Sequence, residues 1–236
     1  MGRHIEIAGD RHLETLRNCG GYYSCPKGSN GKRLGPLVGY AGKYEGPDGK
    51  QLQFVGDVYA NFAKAEIHPE IRTFYAGAIS NRMEPQINMD RVDAFCGAPI
   101  GGYSLSDALG SCNGIDSIKA EKKVTDLATS TGEREKSKLV FARHGVEKGL
   151  RYVIVEDVCN NFSTTEELIT LIRTGGGEVL AIVCFLNRSL KVDLWYQPVE
   201  FSPRIIVISL VRQPINEFRQ DDPVVAHHVA NGNVAW

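Results

Sequence analysis

Two adjacent acids, Glu156 and Asp157, close a run of β-branched residues, Tyr152-Val-Ile-Val155, and a short polar loop (158–165) separates them from a helix. A strand buried on both faces reads as such an unbroken apolar run. Carboxylates at the carboxyl end of a parallel strand stand where open α/β sheets bind ligands. The loop and the start of the helix supply backbone N–H groups that suit a phosphate. Acids for sugar hydroxyls beside amides for a phosphate describe a site for a phosphorylated sugar. Acids also end strands and cap helices for structural reasons alone, and the pair by itself does not separate the two readings.

Three further groups belong to the same kind of chemistry. The turn Gly97-Ala-Pro-Ile-Gly101-Gly102 has small residues that let backbone amides approach an anion closely. Lys119, Lys122 and Lys123 stand at the mouth of a polar segment (125–138), with Arg134 and Lys136 farther along it. Long polar segments inside compact domains are often lids, although most of their lysines are simply solvated. Arg188 follows a buried strand over 179–186, and its planar guanidinium suits a carboxylate or imide edge as well as it suits a structural ion pair.

The elements needed to position these groups are readable from periodicity. Ile71, Phe74, Tyr75, Ala78 and Ile79 mark one face of a helix over 69–83. Strands are expected at 92–96, 115–120, 139–142, 152–155, 179–186 and 204–211, and helices at 103–109 and 164–174, the latter stopped by Gly175-Gly-Gly177. Alternating strands and helices predict an α/β fold with a mostly parallel central sheet flanked by helices. Right-handed crossovers then bring the glycines, the acids and Arg188 to one rim. The first sixty residues are rich in Gly and Tyr, and Gly46-Pro-Asp-Gly49 signals a hairpin. They predict a small antiparallel hood or appendage (1–61) ahead of an α/β core (62–236).

The 236 residues carry 42% apolar and 23% charged side chains with a formal charge of −1, which gives no electrostatic footprint for nucleic acid or an anionic membrane. The apolar runs are too short to span a bilayer, and the first residues have no apolar signal core, so a cytoplasmic protein is expected. The six cysteines show no zinc-type spacing and read as reduced, structural thiols.

Taken together, the residues resemble the type I phosphoribosyltransferases, and orotate phosphoribosyltransferase in particular. Val155-Glu-Asp-Val158 with its loop is similar to the family's phosphoribosyl diphosphate (PRPP) signature, Ala120-Glu-Lys-Lys123 and Phe141-Ala-Arg143 to its acid-plus-cation and Arg-Gly segments, and Leu186-Asn-Arg188 to the strand end whose arginine contacts orotate. The resemblance covers roughly 54–188. It implies that Glu156 and Asp157 hold the ribose hydroxyls of PRPP and that Asn160, Asn161, Phe162, Ser163, Thr164 and Thr165 wrap its 5′-phosphate. Gly97, Gly101 and Gly102 would meet the pyrophosphate. Asn160 and Arg188 would contact orotate, and Lys122, Lys123 and Asp157 would be the catalytic groups. It further implies a homodimer, and Mg²⁺ that arrives with PRPP and takes no direct protein ligand. A relative acting on another nucleobase, or a non-catalytic nucleotide-binding regulator, would share these features. One departure stands out. The family loop is Thr-Thr-Gly-Gly or close to it, whereas Asn160-Asn-Phe-Ser163 stands here, and Phe162 in a glycine's place is expected to crowd the turn at a cost of about 1–3 kcal/mol.

Overall fold

The apolar runs at 152–155 and 179–186, rich in Val, Ile and Leu, become adjacent central strands of one sheet in the computed structural model. The structure describes residues 5–126, 136–198 and 204–236. Two compact units emerge: one comprises the residues up to Lys64 with Pro214–Trp236, the other Ala65–Gln213.

The larger unit holds α1 (Pro69–Met83), β1 (Ala94–Gly97), α2 (Gly102–Asn113), β2 (Asp116–Lys119), β3 (Glu121–Asp126), β4 (Lys136–Val140), β5 (Arg151–Cys159), α3 (Ser163–Thr174), β6 (Glu178–Asn187), β7 (Trp195–Tyr196) and β8 (Ile205–Arg212). Six strands form the sheet in the order β7-β8-β6-β5-β1-β2. All its pairings are parallel except that of β7 with β8. This is the expected mostly parallel α/β architecture. Central position explains composition: Val153, Ile154 and Val155 of β5 and Ile182–Leu186 of β6 are buried on both faces. Register is pinned at the start of β5 by Arg151, whose guanidinium donates to both Asp93 oxygens at 2.8 and 2.9 Å just before β1 begins. Those hydrogen bonds hold the Asp93 carboxyl down to about 2.

Helix α3 packs Leu168, Ile169 and Ile172 on one face of the sheet, in a cluster with Tyr152, Ile154 and Ile182. It ends where the sequence places the stop: the Gly177 N–H returns to the Ile172 carbonyl at 3.0 Å, and Gly176 takes φ +85°. Segment 125–138, expected as a loop, belongs in its described part to a β-hairpin. Lys122 pairs with Leu139 and Lys123 with Lys138 across β3 and β4. Leu139 is the anchor: its side chain is buried, and its N–H donates to Glu167 on α3 at 2.5 Å. A two-stranded arm stabilised mainly by its backbone ladder carries little apolar alternation, so periodicity missed it. Arg134 lies outside the described residues.

In the smaller unit, Leu37–Glu45 and Gln51–Gly56 pair antiparallel, and Gly49 takes φ +75° in the Pro-Asp-Gly turn between them. Val234–Ala235 adds a third strand, parallel to Leu37–Val38. Residues 214–236 thus fold with this unit, where the sequence reading had them in the core. Val225 is fully buried against Leu37 and Val55 with Phe218, Val229 and Val234 around them, a set of apolar residues too sparse in the tail to show a period.

Candidate functional site

Parallel pairing brings the carboxyl ends of the strands to one rim. Gly97 of β1 stands opposite Val155 of β5 and Lys119 of β2, and Asn187 of β6 opposite Cys159 of β5 and Arg212 of β8. The acids are not past the end of β5 but inside it, because Val158 and Cys159 still pair with Leu186 and Asn187. Strand alternation therefore sends Glu156 and Asp157 to opposite faces of the sheet's edge.

Glu156 and residues 158–165 line a cavity of about 80 Å³ at the start of α3. On the other face, the Asp157 carboxylate accepts the Val158 N–H at 2.8 Å. It also lies directly against Gly101, where any Cβ would overlap it. A Cβ on Gly102 would overlap the Val155 carbonyl oxygen, and one on Gly97 would come within 2.5 Å of Ser106 Oγ. The turn from Gly97 to Gly102, whose Pro99–Ile100 peptide is cis, reaches the acids because three of its residues have no side chain.

Burial sets the charge state of both acids. Desolvation, then the neighbouring charge of Asp157, pushes Glu156 up to about 8, against the pull of the Lys122 ammonium. Asp157 is also raised, by desolvation first; the Val158 N–H opposes that, and the charge of Glu66 adds to it. Glu66 in turn accepts the Ser104 hydroxyl at 2.7 Å. For Glu156 the linkage has a definite sign. Below the unfolded-state value of about 4.5 both states carry the proton and nothing is lost. Between that value and about 8 the unfolded chain ionises while the native carboxyl stays neutral, so stability falls as pH rises. The expected result is a loss on the order of a few kcal/mol between pH 5 and pH 8 in urea denaturation. Glu156→Gln is expected to flatten that slope, and an unchanged slope in the variant would remove Glu156 as its source.

Phe162 is the residue before α3, with φ 62° and ψ 14°. It takes the left-handed backbone that favours glycine, so the strain expected of a bulky residue in a glycine's place is present. Its ring stacks on Tyr196 at 5.1 Å between centroids and 13° between planes. Both rings are buried. Left-handed backbone at a bulky residue costs about 1–3 kcal/mol. Burying a phenylalanine returns about 1.5–3 kcal/mol, and a stacked aromatic pair about 0.5–1.5 kcal/mol more, so the conformation is sustained. Asn161 shapes the rest of the turn, its Oδ1 accepting both the N–H and the hydroxyl of Ser163 at 3.1 and 2.9 Å. Ser163, Thr164 and Thr165 open the helix, where backbone N–H groups lack intrahelical acceptors.

The remaining candidates divide. Lys122 is exposed on β3, and its charge acts on Glu156. Alternation directs Lys123 to the other face of the arm. Lys119 is engaged by Asp107 at 2.6 Å. Arg188 is half-buried at the rim, and its N–H donates to the Cys159 carbonyl at 2.9 Å, which joins the end of β6 to the cup. Three contributors were not foreseen from sequence. Tyr196 supports Phe162, Glu66 biases Asp157, and Asn187 braces the segment after β6 by donating to the Val192 and Asp193 carbonyls at 3.0 and 3.2 Å. An aromatic residue in a glycine's place was the one available signal, since it demanded a partner. Among the described residues, no group of three or more His, Cys, Asp or Glu side chains is arranged to hold a metal ion, and no helix is long and apolar enough to cross a membrane.

No family model matches the chain. The crystal structure of orotate phosphoribosyltransferase from Aeropyrum pernix aligns with a TM-score of 0.51 at 15% identity, covering 85% of this chain and 92% of that one. The chain has the type I phosphoribosyltransferase fold. In sequence it is similar to the orotate phosphoribosyltransferase of Caldanaerobacter subterraneus subsp. tengcongensis, 27% identical over 133 residues that make up 56% of this chain and 62% of the relative. It is also similar to the transcriptional regulator GfcR of Methanocella arvoryzae, 30% identical over 135 residues, 55% of this chain and 64% of that protein. The chain thus spans a little under two thirds of the length of the curated relatives it matches. The resemblance stated from sequence, to this fold family and to orotate phosphoribosyltransferase within it, holds at modest identity.

Proposed function

We propose that the protein is a phosphoribosyltransferase that moves the phosphoribosyl group of PRPP to orotate, giving orotidine 5′-phosphate and pyrophosphate. One observation carries the reading: the amide-rich cup before α3 and the glycine turn after β1 flank two acids on the same strand end. A ribose lying across that end meets Glu156 on one face and Asp157 on the other. Its 5′-phosphate enters the cup of Asn160–Thr165, and the diphosphate lies along Gly97, Gly101 and Gly102. Arg188 and Asn160 meet the base.

The chemistry follows from charge. Breaking the bond between C1 and the diphosphate builds positive charge on the ribose and negative charge on the leaving group. The Asp157 carboxylate beside the ribose and the Lys122 ammonium beside the diphosphate oppose both, while Glu156, neutral below about 8, offers its carboxyl to a ribose hydroxyl as a hydrogen-bonding group. No covalent nucleophile is needed. Mg²⁺ would arrive with the diphosphate, without a direct protein ligand, and would supply charge neutralisation there. Closure of the arm β3–β4 over the site would exclude water from C1, and Lys123 then faces outward, toward a second subunit in a homodimer. A cytoplasmic location fits substrates of this kind.

The test is the loss of orotate absorbance with PRPP and Mg²⁺. Turnover supports the reading. Micromolar nucleotide binding without turnover supports a second one, a non-catalytic regulator, which the similarity to a transcriptional regulator favours. Turnover with another nucleobase and none with orotate would retain the scaffold and replace the substrate.

Arg188→Ala separates base from sugar phosphate. Removing a charged hydrogen-bonding partner costs about 1.5–3 kcal/mol, so the KM for orotate is expected to rise about 10- to 150-fold. PRPP affinity is expected to stay within about twofold, since the substitution keeps the backbone N–H of residue 188 that meets Cys159 at the edge of the cup. Equal loss of both ligands, by calorimetry, would take Arg188 away from the base.

A further inference from the structure

Phe162 holds a conformation that L-residues with large side chains rarely adopt, at the position that shapes the phosphate cup. What holds it there comes from a distant part of the chain. Tyr196 lies on β7, which is paired to β8 through Tyr196 and Ile205. The segment leading to β7 is braced at several points. Asn187 donates to the carbonyls of Val192 and Asp193 and accepts the Ser189 N–H at 3.0 Å, and Arg212 Nε donates to Asp193 at 2.9 Å. That segment also begins with Arg188, whose N–H meets Cys159 at the edge of the cup. One rigid strap therefore carries both the arginine assigned to the base and the ring stacked on Phe162.

We propose that Tyr196 is a positioning residue for the phosphate cup. Its stacked ring replaces the conformational freedom of glycine and keeps Phe162 left-handed, so the cup is formed only while the strap from Asn187 to Tyr196 is seated. The proposal rests on the cup being a 5′-phosphate site. It makes the phosphate and base subsites of this chain parts of one braced unit, a dependence that a glycine at 162 would not create, because glycine takes a positive φ unaided. Tyr196 does not line the cup and acts on it through Phe162.

The experiment is a double-mutant cycle read by calorimetric titration of the full chain with ribose 5-phosphate. Tyr196→Leu keeps apolar volume and removes the stacking face, while Tyr196→Phe keeps the face. Tyr196→Leu is expected to weaken binding about tenfold, equivalent to about 1.4 kcal/mol, and Tyr196→Phe to stay within about twofold of the parent. In a Phe162→Gly background, Tyr196→Leu is expected to change affinity less than about twofold, which is the signature of coupling through residue 162. An equal loss in both backgrounds would mean that Tyr196 serves the core alone and would overturn the proposal, as would unchanged binding by Tyr196→Leu in the parent. Absence of ribose 5-phosphate binding by the folded parent chain would overturn the phosphate-site reading itself, and the proposal with it.

Discussion

Asp157→Asn is expected to lower kcat/KM for PRPP by about 10²- to 10³-fold, the loss that follows when one preorganised group aimed at developing charge is removed. The substitution keeps shape. An asparagine Oδ1 still accepts the Val158 N–H that Asp157 receives at 2.8 Å, and the amide fits against Gly101 as the carboxylate does. What disappears is negative charge in a buried place, where it is worth more than in water. That same burial, which raises the Asp157 carboxyl, makes the charge costly to the fold. The melting temperature of Asp157→Asn is therefore expected to equal or exceed that of the parent while turnover falls, the pattern of a group kept for function against stability. Steady-state kinetics and a thermal melt on the same preparation check both halves. Parent-like kcat/KM would mean that no charge builds beside Asp157 in the reaction.

Gly102→Ala is expected to have the largest structural effect. The added Cβ overlaps the carbonyl oxygen of Val155, which is backbone of a central strand and has no rotamer to change. That carbonyl also accepts the Ala98 N–H at 2.9 Å, and the Ala98 carbonyl accepts the Gly102 N–H at 3.0 Å, so the turn cannot slide without breaking its own closure. Overpacking a rigid site costs about 1–3 kcal/mol or more, which for a chain of this size lowers the melting temperature by about 2–12 °C. Because the displaced turn is the one proposed to meet the diphosphate, PRPP binding is expected to be lost together with stability. A Gly102→Ala chain that melts with the parent would show that the approach of this turn to β5 is looser than the structure has it.

Much of this was legible in residue order alone. The unbroken apolar runs at 152–155 and 179–186 became the central strands because a strand buried on both faces has no polar alternation to disguise it. Acids, glycines and arginine lay at the ends of those runs, and right-handed parallel connections place all such ends on one rim, so the candidate site was readable before any coordinate. Local rules also placed the stop of α3 at Gly175-Gly-Gly177 and the turn at Pro47-Asp-Gly49, since both depend on residues adjacent in the chain.

Tertiary structure decided what depends on partners far away. Whether β5 ended before or after its acids was a matter of pairing with β6, and that pairing sent Glu156 and Asp157 to opposite faces. The arm β3–β4 and the seating of residues 214–236 rest on a backbone ladder and on a few scattered apolar residues, neither of which leaves a period in the sequence. The fate of Phe162 was beyond any local rule. A bulky residue in a left-handed turn is unfavourable by itself, and it holds here because Tyr196, thirty-four positions on, supplies a buried ring to stack against. Sequence determines which residues prefer which backbone; only the folded chain determines which of those preferences is overruled, because the energy that overrules them is contributed by residues the sequence keeps apart.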